Sequence, residues 1–134
     1  MAAAQSVDQA GFRKEFACDD HLFAITMLYE KTKEWNKPLW LAAVDFQKAF
    51  DTVNHEAIWQ ALREQGVGET YVRTLQKLYR GQVGHVKTDR TSRDFEINRG
   101  TKQGDPISPV IFNAVLETVM RTCKHKWRSK RIWR

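Results

Sequence analysis

Only two cysteines occur in 134 residues, Cys18 and Cys123, and they lie far apart in no Cys-x-x-Cys spacing. That scarcity gives no support to a disulfide framework or a zinc finger and favours reduced thiols in an intracellular protein. No apolar run approaches the roughly 20 residues needed to cross a bilayer, so no membrane partner is expected. The opening Met-Ala-Ala-Ala-Gln is too short and too polar for a secretory signal. Internal repeats and low-complexity linkers are absent. The four histidines, His21, His55, His85 and His125, show no metal-ligand spacing, which leaves them packing or surface roles.

Acid is missing from one place. Residues 121–134 contain seven Lys and Arg and no Asp or Glu, whereas residues 1–120 hold 15 basic and 16 acidic residues. The net charge of +6 therefore belongs to the C-terminal stretch and says nothing about the nearly neutral remainder. Dense positive charge with an interleaved tryptophan, as in Lys124, Lys126, Trp127, Arg128, Lys130 and Arg131, suits a nucleic-acid backbone. A disordered run that meets polyanions without selectivity has the same composition. The sequence predicts one domain over residues 1–120 and a disordered basic tail over 121–134.

What is present can build a core: 42% of residues are apolar and 28% charged, ordinary for a modest globular domain. Residues 19–35 place Leu22, Ile25, Leu28 and Tyr29 at helical spacing, with Asp19 or Asp20 as the start and Asn36-Lys-Pro38 as the stop. Leu39–Val44 is short and wholly apolar and predicts a buried strand whose C-terminal end, at Asp45, reaches an aqueous cleft. Asn54 predicts a helix cap, with Ile58, Ala61 and Leu62 on the covered face and Gly66 at the end. Val72, Leu75, Leu78 and Tyr79 mark a second helix over Glu69 to Arg80. Val83, Val86, Thr88, Phe95 and Ile97 flank a polar turn and predict a β-hairpin. Ser108-Pro109 predicts a capped helix with a stripe of Ile111, Phe112, Val115, Leu116, Val119 and Met120.

Two segments carry chemistry. In Val44-Asp-Phe-Gln-Lys-Ala-Phe-Asp51, a carboxylate at a strand end suits a hard cation, although strand-terminal aspartates also cap turns. Asp51 reads as a structural carboxylate bonding backbone groups ahead of the next helix. In Arg99-Gly-Thr-Lys-Gln-Gly-Asp-Pro106, Gly100 and Gly104 allow close backbone approach and Gln103 offers both a donor and an acceptor. Arg99 and Lys102 could meet phosphate, with solvated surface charge as the default.

Both segments, in this order, resemble a reverse transcriptase of the non-LTR retrotransposon type. Gln9-Ala-Gly-Phe-Arg13 and Asp20-His21-Leu22 resemble the stretch preceding its palm motif, with Glu15 standing where a small residue is usual. The resemblance covers roughly residues 9–120 and implies an α+β fold: partial fingers and palm of a right-hand polymerase, helices packed on a small antiparallel sheet. It implies RNA-templated DNA synthesis from deoxynucleoside triphosphates on a template-primer, with Mg2+ in a two-metal site. Asp45 would be the first metal ligand and the Phe46 carbonyl a further one. Phe50 would lie under the incoming sugar and disfavour a 2′-hydroxyl, or be a buried aromatic before a helix. Gln103 and Gly104 would contact the nucleotide and the template base.

The family's Ala-Asp-Asp pair is expected after the second segment, yet no Asp follows Asp105. The fingers segment that grips the triphosphate, the rest of the palm and the thumb are also unmatched. The expectation is a polymerase piece that is inactive alone. Its alternatives are a non-catalytic nucleic-acid-binding protein using the basic tail and an inert remnant.

Overall fold

A computed structural model of the chain describes residues 6–102 and 104–130. Among them, contacts divide the chain into two units, Ser6–Gln47 and residues 48–130.

The first unit contains one long helix, α1 (Cys18–Glu34), followed by an extended stretch. Asp19 and Asp20 occupy its first turn and Lys31 and Lys33 its last, each sign matching the helix dipole. The cap itself is Ala17, which offers no side-chain acceptor, so neither aspartate is the cap. No residue of α1 is buried, and Leu22, Phe23, Leu28 and Tyr29 are all more than half exposed. Residues 37–46 form no ladder, so the expected buried strand Leu39–Val44 is corrected to exposed coil, with Trp40 92% exposed. A strand needs a neighbour for its peptide groups, and no described strand pairs with this segment. Before α1, Phe12 and Glu15 adopt left-handed backbone, at φ 55° and 66°. That conformation is costly for side chains with a Cβ.

The second unit holds the core. It runs α2 (Ala49–Thr52), α3 (His55–Glu64), α4 (Glu69–Tyr79), β1 (Val83–Gly84), β2 (Phe95–Glu96) and α5 (Ser108–Ser129). Asn54 caps α3 as its sequence position predicts, its side chain accepting the Glu56 N–H at 2.8 Å. From α3, Ile58 and Leu62 are fully buried against Val72 of α4 and Ile111 and Ala114 of α5. Each large side chain so covered contributes on the order of 1.5–3 kcal/mol. Arg63 forks onto Glu69 at 2.9 and 3.2 Å, joining the end of α3 to the start of α4. That bond holds the Glu69 carboxyl below its ordinary range. Strands β1 and β2 pair antiparallel, Val83 with Glu96 and Gly84 with Phe95, giving the expected hairpin in abbreviated form. The arrangement is α+β, helices beside a small two-strand antiparallel sheet.

Helix α5 departs from expectation in three ways. Its covered face runs through Ser108, Ile111, Ala114 and Glu117, while Val119 is about half exposed. Ile111 is the large apolar residue at the centre of this face, with Phe112 and Val115 packed beside it. Ser108 is not the cap: its hydroxyl donates to the Lys102 carbonyl at 2.6 Å, and Asp105 accepts from the Ile107 N–H at 3.0 Å. Finally, the helix continues through Ser129, where a disordered tail from 121 was expected. Arg121 bonds Glu117 one turn back at 2.9 Å, and Lys126 and Arg128 in the last turn complement the dipole. No described helix is long and apolar enough to cross a membrane.

Candidate functional site

The two chemistry-bearing segments meet in the second unit through their backbones. Val53 accepts the Gly100 N–H at 2.8 Å and Phe50 accepts the Thr101 N–H at 2.7 Å. Asn54 and Arg99 form an isolated antiparallel bridge. Gly100 has φ +87°, and a Cβ there would stand 2.8 Å from the Asp51 carbonyl oxygen. Both the backbone conformation and the space therefore require glycine. Thr101 is buried beside this junction. The chain stretches 50–55 and 99–101 thus behave as one clamp.

The expected site residues fall in several places. Phe50 sits in α2, half-buried, its ring 5.1 Å from that of Phe112 on α5. This contact orients the ring on the side facing α5. Gly104 is exposed at φ +83° with open space where a Cβ would stand, so its backbone is accessible to a ligand. Gln103 lies outside the described residues, as does Arg131. Asp45 and Phe46 belong to the Ser6–Gln47 unit, in exposed coil and not at a strand end. Lys124 and Trp127 are half-buried, and Lys126, Arg128 and Lys130 exposed, all at the end of the α5 region.

Beside the clamp, a cleft of about 460 Å³ is lined by Asp51, Val83, Phe95, Ile97, Arg99 and Lys102. A larger cleft of about 640 Å³ has His55, Trp59 and Tyr79 among its walls, with Arg73, Lys77 and Arg80 at its margin. The Tyr79 and Trp59 rings meet edge-on at 5.5 Å. Among the described residues the Tyr79 hydroxyl is buried without a hydrogen-bond partner, near a Ser108 hydroxyl that donates to the Lys102 carbonyl. Burial raises the Tyr79 phenol above its ordinary value.

A magnesium pair needs several oxygen ligands converging on one place. Among the described residues no group of three or more His, Cys, Asp or Glu side chains could hold a metal ion. The carboxylates here do not fit a complete two-metal site.

His55 and Thr101 are the residues that motif reading passed over. His55 carried one available signal, its position directly after the helix cap that follows Phe50-Asp51.

Comparison with known proteins bears on this geometry. The family model described as reverse transcriptase (RNA-dependent DNA polymerase) matches residues 2–133. The chain is 32% identical over 115 residues to the retrovirus-related Pol polyprotein from type-2 retrotransposable element R2DM of Drosophila melanogaster, covering 85% of this chain and 11% of that protein. It is 38% identical over 84 residues to the retrovirus-related Pol polyprotein from type-1 retrotransposable element R2 of Popillia japonica, covering 60% of this chain and 13% of that protein. A putative COX1/OXI3 intron 1 protein of Saccharomyces cerevisiae is 28% identical over 114 residues, 85% of this chain and 12% of that protein. The chain thus spans about a tenth of the length of the curated relatives it matches.

Proposed function

The chain belongs to the reverse transcriptase (RNA-dependent DNA polymerase) family and is related to R2-type non-LTR retrotransposon Pol proteins, and on that premise we propose that it forms the sugar- and base-reading part of an RNA-templated DNA polymerase. The observation that carries this reading is the clamp, which ties the helix bearing Phe50 to the loop that leads into Gln103 and Gly104. Phe50, steadied by Phe112, presents a bulky ring that leaves no room for a 2′-hydroxyl. Gln103 and Gly104 contact the incoming nucleotide and the template base, the glycine through its open backbone. Asp45, with the Phe46 carbonyl, contributes one part of the family's Mg2+ site, and the remaining carboxylates come from outside these 134 residues.

By itself this chain is then not a competent polymerase. Primer extension by the purified protein on an RNA template, with deoxynucleotides and Mg2+, is expected to give no product. Extension that Asp45→Ala abolishes would refute that expectation. A template-primer with deoxynucleotide should nonetheless shift the amide resonances of Thr101 and Gly104; unmoved resonances at millimolar nucleotide would remove the nucleotide-reading role.

A second reading rests on the basic end of the α5 region, where Lys124, Lys126, Arg128 and Lys130 surround Trp127 on a helix that runs through Ser129. In this reading the stretch holds nucleic-acid phosphates, with Arg131 continuing it, and binding weakens steeply with salt. Deleting residues 121–134 should abolish binding while leaving the unfolding transition cooperative. Retained binding would transfer the site to the neutral body.

A further inference from the structure

His55 opens α3 one residue after the cap Asn54. Its Nε2 lies 2.9 Å from the Gly100 carbonyl oxygen, across 45 residues of sequence. A carbonyl oxygen has no proton to give, so the ring nitrogen is the donor and the proton resides on Nε2. The ring is oriented by its neighbours: it meets Tyr79 edge-on at 5.2 Å and 89°, and Trp59 at 6.2 Å. On the other side of the same junction, the Gly100 N–H donates to Val53 and the Thr101 N–H to Phe50. Beside Asp51, where a Cβ would not fit, Gly100 is therefore held through its nitrogen and through its oxygen. Only the last of these holds is made by a side chain.

We infer that His55 is a positioning residue whose Nε2–H bond to the Gly100 carbonyl fixes the peptide leading into Gln103 and Gly104, keeping that loop and Phe50 in one frame. Its purpose rests on the polymerase reading above; its geometry does not. A histidine suits the position because one flat side chain supplies an apolar edge to Tyr79 and Trp59 and a single directed donor to Gly100. A residue that merely filled space at the start of α3 would need the first property alone.

Two substitutions separate these cases. His55→Phe keeps the ring and removes the donor, whereas His55→Gln keeps an N–H donor at similar reach and removes the ring. Amide hydrogen exchange in the full chain is the readout. His55→Phe should speed exchange at Gly100 and Thr101 about fivefold, the effect of one net hydrogen bond, and leave Ala114 and Leu116 in α5 unchanged. His55→Gln should restore Gly100 and Thr101 to within about twofold of the parent. The ring ¹⁵N spectrum of the parent should show Nε2 protonated. Unchanged exchange in His55→Phe, or equal loss in both variants, overturns the inference. Should His55→Phe fail to fold, a bare Nε2 in the parent or lost protection in His55→Gln overturns it equally. None of these measurements requires polymerisation. A failed nucleotide titration would remove the loop's purpose and leave the bond standing, while failed exchange would remove the bond and leave the polymerase reading intact.

Discussion

Helices α1 and α3 carry apolar residues at similar helical spacing, yet their surroundings are opposite. α1 spans Cys18–Glu34 and buries nothing, leaving Leu22 and Leu28 more than half exposed. α3 is shorter, spans His55–Glu64, and buries Ile58, Trp59, Ala61 and Leu62. The difference lies in what each helix meets: α3 has α4 and α5 beside it, whereas α1 is followed by coil without a strand partner. Periodicity states that a face is suited to burial; it does not state that the covering element is at hand.

The sharpest way to break this comparison is a matched pair of truncations. Leu62→Ala should lower the unfolding free energy by about 2–5 kcal/mol in urea denaturation, and Leu28→Ala by no more than about 0.5 kcal/mol. Equal losses would mean that α1 is covered in solution. A second pair compares the two glycines of the loop between β2 and α5. Gly100→Ala combines left-handed backbone with a Cβ against Asp51 and should cost about 2–3 kcal/mol, while Gly104→Ala, with open space around it, should cost about 1 kcal/mol. Thermal unfolding of both variants checks the order. The caps come next. Asn54→Ala should cost about 1 kcal/mol, and Ala17→Asp, which gives α1 the acceptor it lacks, should raise helical circular dichroism and contribute about 0.5 kcal/mol.

The smallest effect at neutral pH concerns Tyr79. Its hydroxyl has no hydrogen-bond partner among the described residues, so Tyr79→Phe should change stability by less than about 1 kcal/mol. The fold favours the neutral phenol and raises its pKa. That contribution is therefore complete below the unfolded tyrosine value of about 10 and is lost as pH rises through the higher folded value. Urea midpoints at pH 8 and about pH 11 should fall more for the parent than for Tyr79→Phe. Equal falls would place the titrating group elsewhere.

The features legible in the sequence were those with local causes. Asn54 as a cap, the endings after α3 and α4, the hairpin around Asp89–Asp94 and the helix entered at Pro109 each depend on a few adjacent residues. The α+β class followed from their order. Features that depend on distant partners were less legible. Leu39–Val44 has the composition of a strand, but a ladder is a property of two segments. The covered face of α5 includes Ile111, which the hydrophobic pattern names, together with Ser108, Asn113 and Glu117, polar residues that it does not. Tail composition suggested disorder because its charges were counted without Glu117, whose bond to Arg121 joins the basic stretch to the helix before it. At the candidate site, the family resemblance names Asp45, Phe46, Phe50, Gln103 and Gly104, residues of two separate segments. The bond between His55 and Gly100 was invisible because nothing in either local sequence names its partner.

The clamp also sets an order of events during synthesis. Its two halves, around Phe50 and Thr101, are separated by some fifty residues, so this closure is a non-local contact that carries a loop entropy which local helices avoid. At ribosomal speeds of about 5–20 residues per second, the second half follows the first by several seconds. Within that interval α3 and then α4 can form, while the Phe50 and Val53 carbonyls face water and α5 is still untranslated. The nascent polypeptide therefore passes through a stage in which Ile58 and Leu62 are unshielded, the stage at which a holding chaperone would have most to grip.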